Sequence, residues 1–279
     1  MAEEQHFSIS ETDDPELTGY IDRAMAAHGR LFEATRQVDE IQFAMCLFQE
    51  MRGMREAGWS TADEARTAFS QYIEHMKALE PDDPMAVRIS LSLYSYLSES
   101  AGVYETSKNM LRIVTGQFHD IMPFRELVAQ HKITGEQIAP NANRIMKDIL
   151  GHAIAAGHDD LGQIILEAFD ADLRNGYAHA DYVVSNEGIR LPRRNGGQYR
   201  VVDYEAFAKL INKAVYFFEV LNHLVHESMT SYTEPRLVYG RINGKDPAMW
   251  AVILRDGNRF GFKMGGDIGP ETDPNAVKI

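Results

Sequence analysis

The sequence predicts a mainly helical protein carrying a small β-hairpin insertion and a C-terminal three-stranded antiparallel element. Three observations predict it. Apolar residues recur at three- and four-residue steps through most of the chain up to Ser231. Short alternating segments interrupt that period between Asp181 and Val202, and replace it after Pro235. Hydrophobic residues make up 44% and charged residues 25% of the 279 positions, the balance of a chain that folds around its own core.

The elements follow in order. Pro15 to Arg30 has helical spacing, with Leu17, Ile21 and Met25 on one face. Leu31 to Glu56 continues it through Val38, Ile41, Met45, Phe48 and Met51, and Gly58 closes it. Ser60 and Thr61 open another helix, with Glu64 completing a capping box and Phe69, Ile73, Met76 and Leu79 as its buried stripe. Pro81 and Pro84 end that segment. One long helix is expected from about Met85 to Thr115. Pro123, Gly135 and Pro140 break the stretch that follows. Asn141 caps a helix to about Ala156, and Asp159 or Asp160 caps the next, which ends near Arg174. Asp181 to Val184 and Gly188 to Leu191 alternate around the Ser185-Asn186-Glu187 turn. Gly196 and Gly197 turn the chain into Tyr199 to Val202. Tyr204 to Ser231 is a long helix with Phe207, Ile211, Val215, Phe218, Leu221 and Val225 on its core face. Leu237 to Ile242, Ala248 to Leu254 and Arg259 to Met264 read as three strands joined by Asn243-Gly244 and Asp256-Gly257 turns. The domain reading is therefore a helical unit over 1–232 with its β insertion at about 181–202, a β meander over 235–266 and a tail over 267–279.

Composition narrows the function. A formal net charge of −13 opposes broad, non-specific binding to nucleic acid, so any nucleic-acid chemistry must be confined to a local basic site. No apolar run is long enough to cross a bilayer, and Met1 to Pro15 lacks the pattern of a secretory signal. The single cysteine, Cys46, sits in an apolar helical pattern and reads as a buried thiol. Together these point to a cytoplasmic protein without a membrane partner.

Arg174, Asn175 and His179 carry the strongest chemical signal. Arginine binds phosphate through paired hydrogen bonds, and its fixed charge suits a developing phosphorane. Histidine exchanges a proton near neutral pH. On an ideal helix Asn175 and His179 share a face, whereas Arg174 and His179 do not. Asn175-Gly176 is a helix-end signal, so the helix is expected to break at Gly176 and free Arg174 to reach the imidazole. Arg190, Arg193, Arg194 and Arg200 form a basic cluster on the adjacent hairpin, a candidate lip for a phosphate backbone.

Arg174, Asn175 and His179, with the amphipathic run Leu161, Ile164, Ile165 and Phe169 before them and Ala180-Asp181-Tyr182 after, resemble the Arg-Asn-three residues-His motif of HEPN ribonucleases. The resemblance covers the helical part to about Ser231 and not the C-terminal strands. It implies a HEPN-like helical bundle and metal-independent RNA cleavage without a cofactor. It also implies a homodimer in which two motifs face one cleft, because one histidine cannot readily serve both proton transfers. Arg174 would bind phosphate, Asn175 orient the site and His179 act as acid and base. Tyr182, Arg190, Arg193 and Arg194 are the candidate substrate contacts. Tyr182 stands three residues after the histidine; toxins paired with minimal nucleotidyltransferases carry a tyrosine two after. Such toxins act in stress response or phage defence under a regulatory partner or antitoxin. A HEPN-like dimer that binds nucleotide, RNA or protein without cutting is the alternative.

Other signals are weaker. His119-Asp120 and His158-Asp159 look like ligand pairs of metal phosphohydrolases, but such dipeptides arise readily by chance. His152 and His158 are too far apart to share a helical face, and His223 and His226 lack a third ligand at matching spacing. Gly265-Gly266 has no helix after it to make a phosphate loop.

Overall fold

The computed structural model describes residues 9–48, 61–79, 84–192, 197–257 and 259–274. The protein is mainly helical, with small antiparallel sheets. The first helix, α1 (Pro15–Val38), begins where the Asp14 carboxylate accepts from the Glu16 and Leu17 amides. Its buried stripe runs through Leu17, Tyr20, Ala24, Ala27 and Leu31, while Ile21 and Met25 flank it half-buried. At Asp39 the chain turns extended (φ −161°, ψ 112°), so the expected continuous helix divides. The Asp39 carboxylate caps α2 (Glu40–Leu47), whose residues Ile41 to Leu47 are all buried. Gly58 and Ser60 lie outside the described residues.

Next come α3 (Thr61–Lys77), α4 (Pro84–Glu99) and α5 (Ala101–Val114). Pro84 opens α4 instead of ending the preceding segment, the position where its missing N–H costs nothing. The single helix expected from Met85 to Thr115 is two. Ser100 (φ −73°, ψ 58°) breaks it, its hydroxyl bonds back to the Tyr96 carbonyl, and the Tyr104 hydroxyl takes the Leu97 carbonyl. A short 3₁₀ turn (Arg125–Leu127) and a two-residue ladder between β1 (Ala129–Gln130) and β2 (Gln137–Ile138) precede α6 (Ala142–Ala155), which Asn141 caps through the Arg144 amide.

The helix α7 (Asp159–Ala168) begins after His158, and Asp159 and Asp160 occupy its first turn, where negative charge suits the macrodipole. It ends at Phe169 and does not run on to Arg174. A separate short helix, α8 (Ala171–Ala178), starts from Asp170, whose carboxylate accepts from the Asp172 and Leu173 amides. The buried Tyr94 hydroxyl bridges the break: it donates to the Ala168 carbonyl at 3.2 Å and accepts from the Asp170 amide at 2.5 Å. Two backbone groups left over by the break are thereby satisfied.

After α8, β3 (Val183–Ser185), β4 (Gly188–Leu191) and β5 (Arg200–Val202) form one antiparallel sheet. Its inner face, Ile189, Leu191 and Val202, joins the main core. Asp203 then caps α9 (Tyr204–Thr230), which packs along α1, α4 and α7.

The last sheet, β6 (Arg236–Gly240), β7 (Met249–Asp256) and β8 (Arg259–Met264), lies against α2. Val238, Ala251, Ile253 and Phe260 enter the same core as the helices, while Val252 and Leu254 meet Leu237 and Ile268 on the other face. Its turns differ from expectation. Gly240 pairs with Met249, so Asn243-Gly244 sits inside an eight-residue connection, where Gly244 passes too close to the Phe118 ring to admit a Cβ. Asp256 pairs with Arg259, so the second turn starts at Gly257 (φ 57°), one residue later than expected. Among the described residues no helix is long and apolar enough to cross a membrane.

Candidate functional site

The helix carrying the motif does not break at Gly176. It continues to Ala178, and His179 is the residue that leaves it. The Ala180 amide donates to the Tyr177 carbonyl at 3.0 Å and the Asp181 amide to the Gly176 carbonyl at 2.7 Å. This pair of bonds defines a Schellman end, with Ala180 at φ 54° in the position usually given to glycine. Gly176 has a different job. A Cβ there would lie 2.6 Å from Leu191 Cδ2 and 3.2 Å from the Asp181 carbonyl oxygen, so its lack of a side chain lets α8 pack on β4.

Because α8 is continuous, Arg174 and His179 stand about 140° apart around its axis. Arg174 points inward, with its side chain 13% exposed, and pairs with Glu99 at the end of α4. Its Nη1 donates to Asn175 Oδ1 at 2.9 Å, and Asn143 Nδ2 on α6 donates to the same oxygen at 3.2 Å. Its Nε is buried without a hydrogen-bond partner among the described residues. Burial also lowers the Arg174 pKa from its ordinary value, though a guanidinium stays charged at any relevant pH. His179 is exposed, and its side chain makes no hydrogen bond or ion pair among the described residues. The structure thus brings Arg174 and Asn175 together, with Glu99 and Asn143 as partners, and sets His179 apart at the surface.

The surrounding residues divide as clearly. The half-buried Tyr182 ring lies 5.9 Å from that of Tyr177 and holds the chain leaving the helix. On the outer face of the β3–β4–β5 sheet, Arg190 stands in register between Val183 and Val201. It bonds Glu187 at 2.9 Å and lies 5.6 Å over the exposed Tyr199 ring. Arg200 faces inward and pairs with Asp170 at 2.6 Å and Asp172 at 3.5 Å, which fixes the start of α8 to β5. Arg193 and Arg194 lie outside the described residues.

Asp120 bonds Arg125, and the pKa of the half-buried His119 ring is pushed down to about 4 by desolvation, against the opposing charge of Asp120. His152 meets the fully buried Lys108 ammonium, which pairs with Asp148 at 2.7 Å. His223 lies 3.4 Å from Glu227. Among the described residues no three His, Cys, Asp or Glu side chains are grouped to hold a metal ion. Cys46 is buried, and desolvation raises its thiol pKa far above the ordinary value.

Glu99 and Asn143 are the members of the site that sequence reading missed. They lie far from Arg174 along the chain, on different helices, and no local spacing signals them. Comparison with family models, curated proteins and solved structures returned no match for this chain.

Proposed function

We propose that this protein is a metal-independent RNA endonuclease of HEPN type, with a HEPN-like helical bundle. In this reading Arg174 binds the scissile phosphate, Asn175 orients the guanidinium and His179 transfers the proton across a cleft between two copies. The observation that carries the reading is an exposed imidazole at a capped helix end, without a side-chain partner among the described residues, with a desolvated guanidinium five residues earlier on that helix. The Schellman end and the Tyr177–Tyr182 packing fix the backbone of His179. The ribose 2′-hydroxyl would attack the adjacent phosphorus and the 5′-oxygen would leave, giving a 2′,3′-cyclic phosphate. That step needs one proton removed and one supplied. One chain presents a single motif histidine, on a different side of α8 from Arg174, so a second copy is required to complete the site. Growth-arresting activity of this kind suits stress response or phage defence under the control of an antitoxin or other regulatory partner.

One observation favours the alternative of a non-catalytic HEPN-like dimer that binds nucleotide, RNA or protein. The Arg174 fork already holds Glu99 and Asn175. Incubation with labelled single-stranded RNA in excess chelator separates the two. The nuclease leaves 2′,3′-cyclic phosphate ends, and His179→Ala abolishes them while the folded state persists. Equal cleavage by parent and variant, or none by the parent, would sink the nuclease reading.

A further inference from the structure

We propose that Glu99 is a built-in anion of this site, occupying Nη2 of Arg174 until a phosphodiester displaces it, so that it sets how readily backbone phosphate is taken. The inference rests on the reading of Arg174 as the phosphate-binding group, and adds the residue that competes with the ligand.

Three features carry it. Glu99 is the carboxylate paired with Arg174 among the described residues, and the two side chains differ in freedom. Arg174 is 13% exposed and fixed by Asn175, whereas the Glu99 side chain is 40% exposed and can swing into water. The position of Glu99 is also unfavourable for its own helix. It is the last residue of α4, where the macrodipole disfavours negative charge, so local helix electrostatics do not hold it there. Finally, the guanidinium is incompletely satisfied among the described residues, where its buried Nε has no hydrogen-bond partner.

The exchange is chemically balanced. A carboxylate and a phosphodiester each offer two oxygens to the guanidinium fork and each carry one negative charge. Replacing one by the other never leaves the desolvated cation unpaired, which is the costly state. Glu99 regains water as it leaves. Affinity for the backbone is then the difference between two anions competing for one cation, and removing the internal anion should raise it.

The test measures binding without cleavage. Its probe is a 2′-deoxydinucleotide, which carries the phosphodiester but no attacking hydroxyl, titrated at constant ionic strength. Glu99→Gln keeps the shape of the side chain and removes its charge. It should tighten binding by about tenfold, the scale of one charge-assisted contact. The gain should vanish in Glu99→Gln combined with Arg174→Met. Unchanged or weaker binding by folded Glu99→Gln overturns the inference, as does a gain that survives loss of Arg174. Should Glu99→Gln not fold, Glu99→Asp, which shortens the reach and keeps the charge, should bind a few-fold more tightly than the parent, and equal affinity overturns the inference. A binding gain with no RNA cleavage by any variant would leave this inference standing and remove the nuclease. Cleavage that depends on His179, with no binding gain, would do the reverse.

Discussion

Lowering the pH from 7 to 5 should weaken the folded state through histidines that folding desolvates, the buried His28 above all. The His28 side chain is fully buried on α1, with Nδ1 bonded to the Ala24 carbonyl at 3.0 Å, Nε2 without a partner among the described residues and the ring edge-on to Phe217. Desolvation pushes its pKa from 6.5 down to about 4, against the smaller effect of the Ala24 bond. The unfolded chain therefore binds a proton that the folded chain refuses. Stability is fully present above 6.5 and declines as pH falls towards 4. At pH 5 the proton-linkage relation gives a loss of about 2 kcal/mol for one such group. His119, held down to about 4 in the same way, should add a similar amount. Against a total stability of about 5–15 kcal/mol these losses are large. Urea denaturation at pH 7 and pH 5, with a constant m-value, reads them directly. His28→Leu should lose about 2 kcal/mol less than the parent over the same range. Equal losses in parent and variant would refute the assignment to His28.

Three substitutions test how the site is held. Tyr94→Phe removes the hydroxyl that bridges Ala168 and Asp170, and should cost about 1–3 kcal/mol in chemical denaturation; no loss would show that the break between α7 and α8 is satisfied by other means. Gly176→Ala forces a methyl against Leu191 and should cost about 1–3 kcal/mol, and less when introduced into Leu191→Ala than into the parent; an equal cost in both backgrounds would remove the packing argument. Lys108→Met leaves the Asp148 carboxylate, 13% exposed, without its 2.7 Å partner and should cost about 3–5 kcal/mol. A smaller loss in Lys108→Met/Asp148→Leu than in the single variant would confirm that the unpaired charge is the cause, and a larger loss would contradict it.

The sequence was most legible where local chemistry decides structure. Asn141 announces the helix it caps, and the alternation of Gly188 to Leu191 marks its strand. Interruptions in the long apolar periods were not legible, because the period runs unbroken across them. Asp39, Ser100 and Asp170 break helices with tertiary help: Asp39 also accepts from the Arg241 amide, while the Tyr104 and Tyr94 hydroxyls take backbone groups freed at the other two breaks. The Gly176 expectation failed for a related reason. A glycine can serve close packing as well as a turn, and only the position of Leu191 tells which. In the site, Arg174, Asn175 and His179 stand out by residue type and spacing. The direction in which each side chain points depends on Glu99, Asn143 and a helix end set by Ala180 and Asp181.

The central claim is that one chain presents half a site and a second copy completes it at His179. Cross-linking tests this most directly, using His179→Cys with a short bismaleimide at a concentration where the protein is folded. The buried Cys46, its thiol pKa far raised, should stay unreactive in the parent control. A covalent dimer that requires the introduced cysteine is the predicted result. A folded variant that labels fully and remains a monomer would contradict the claim.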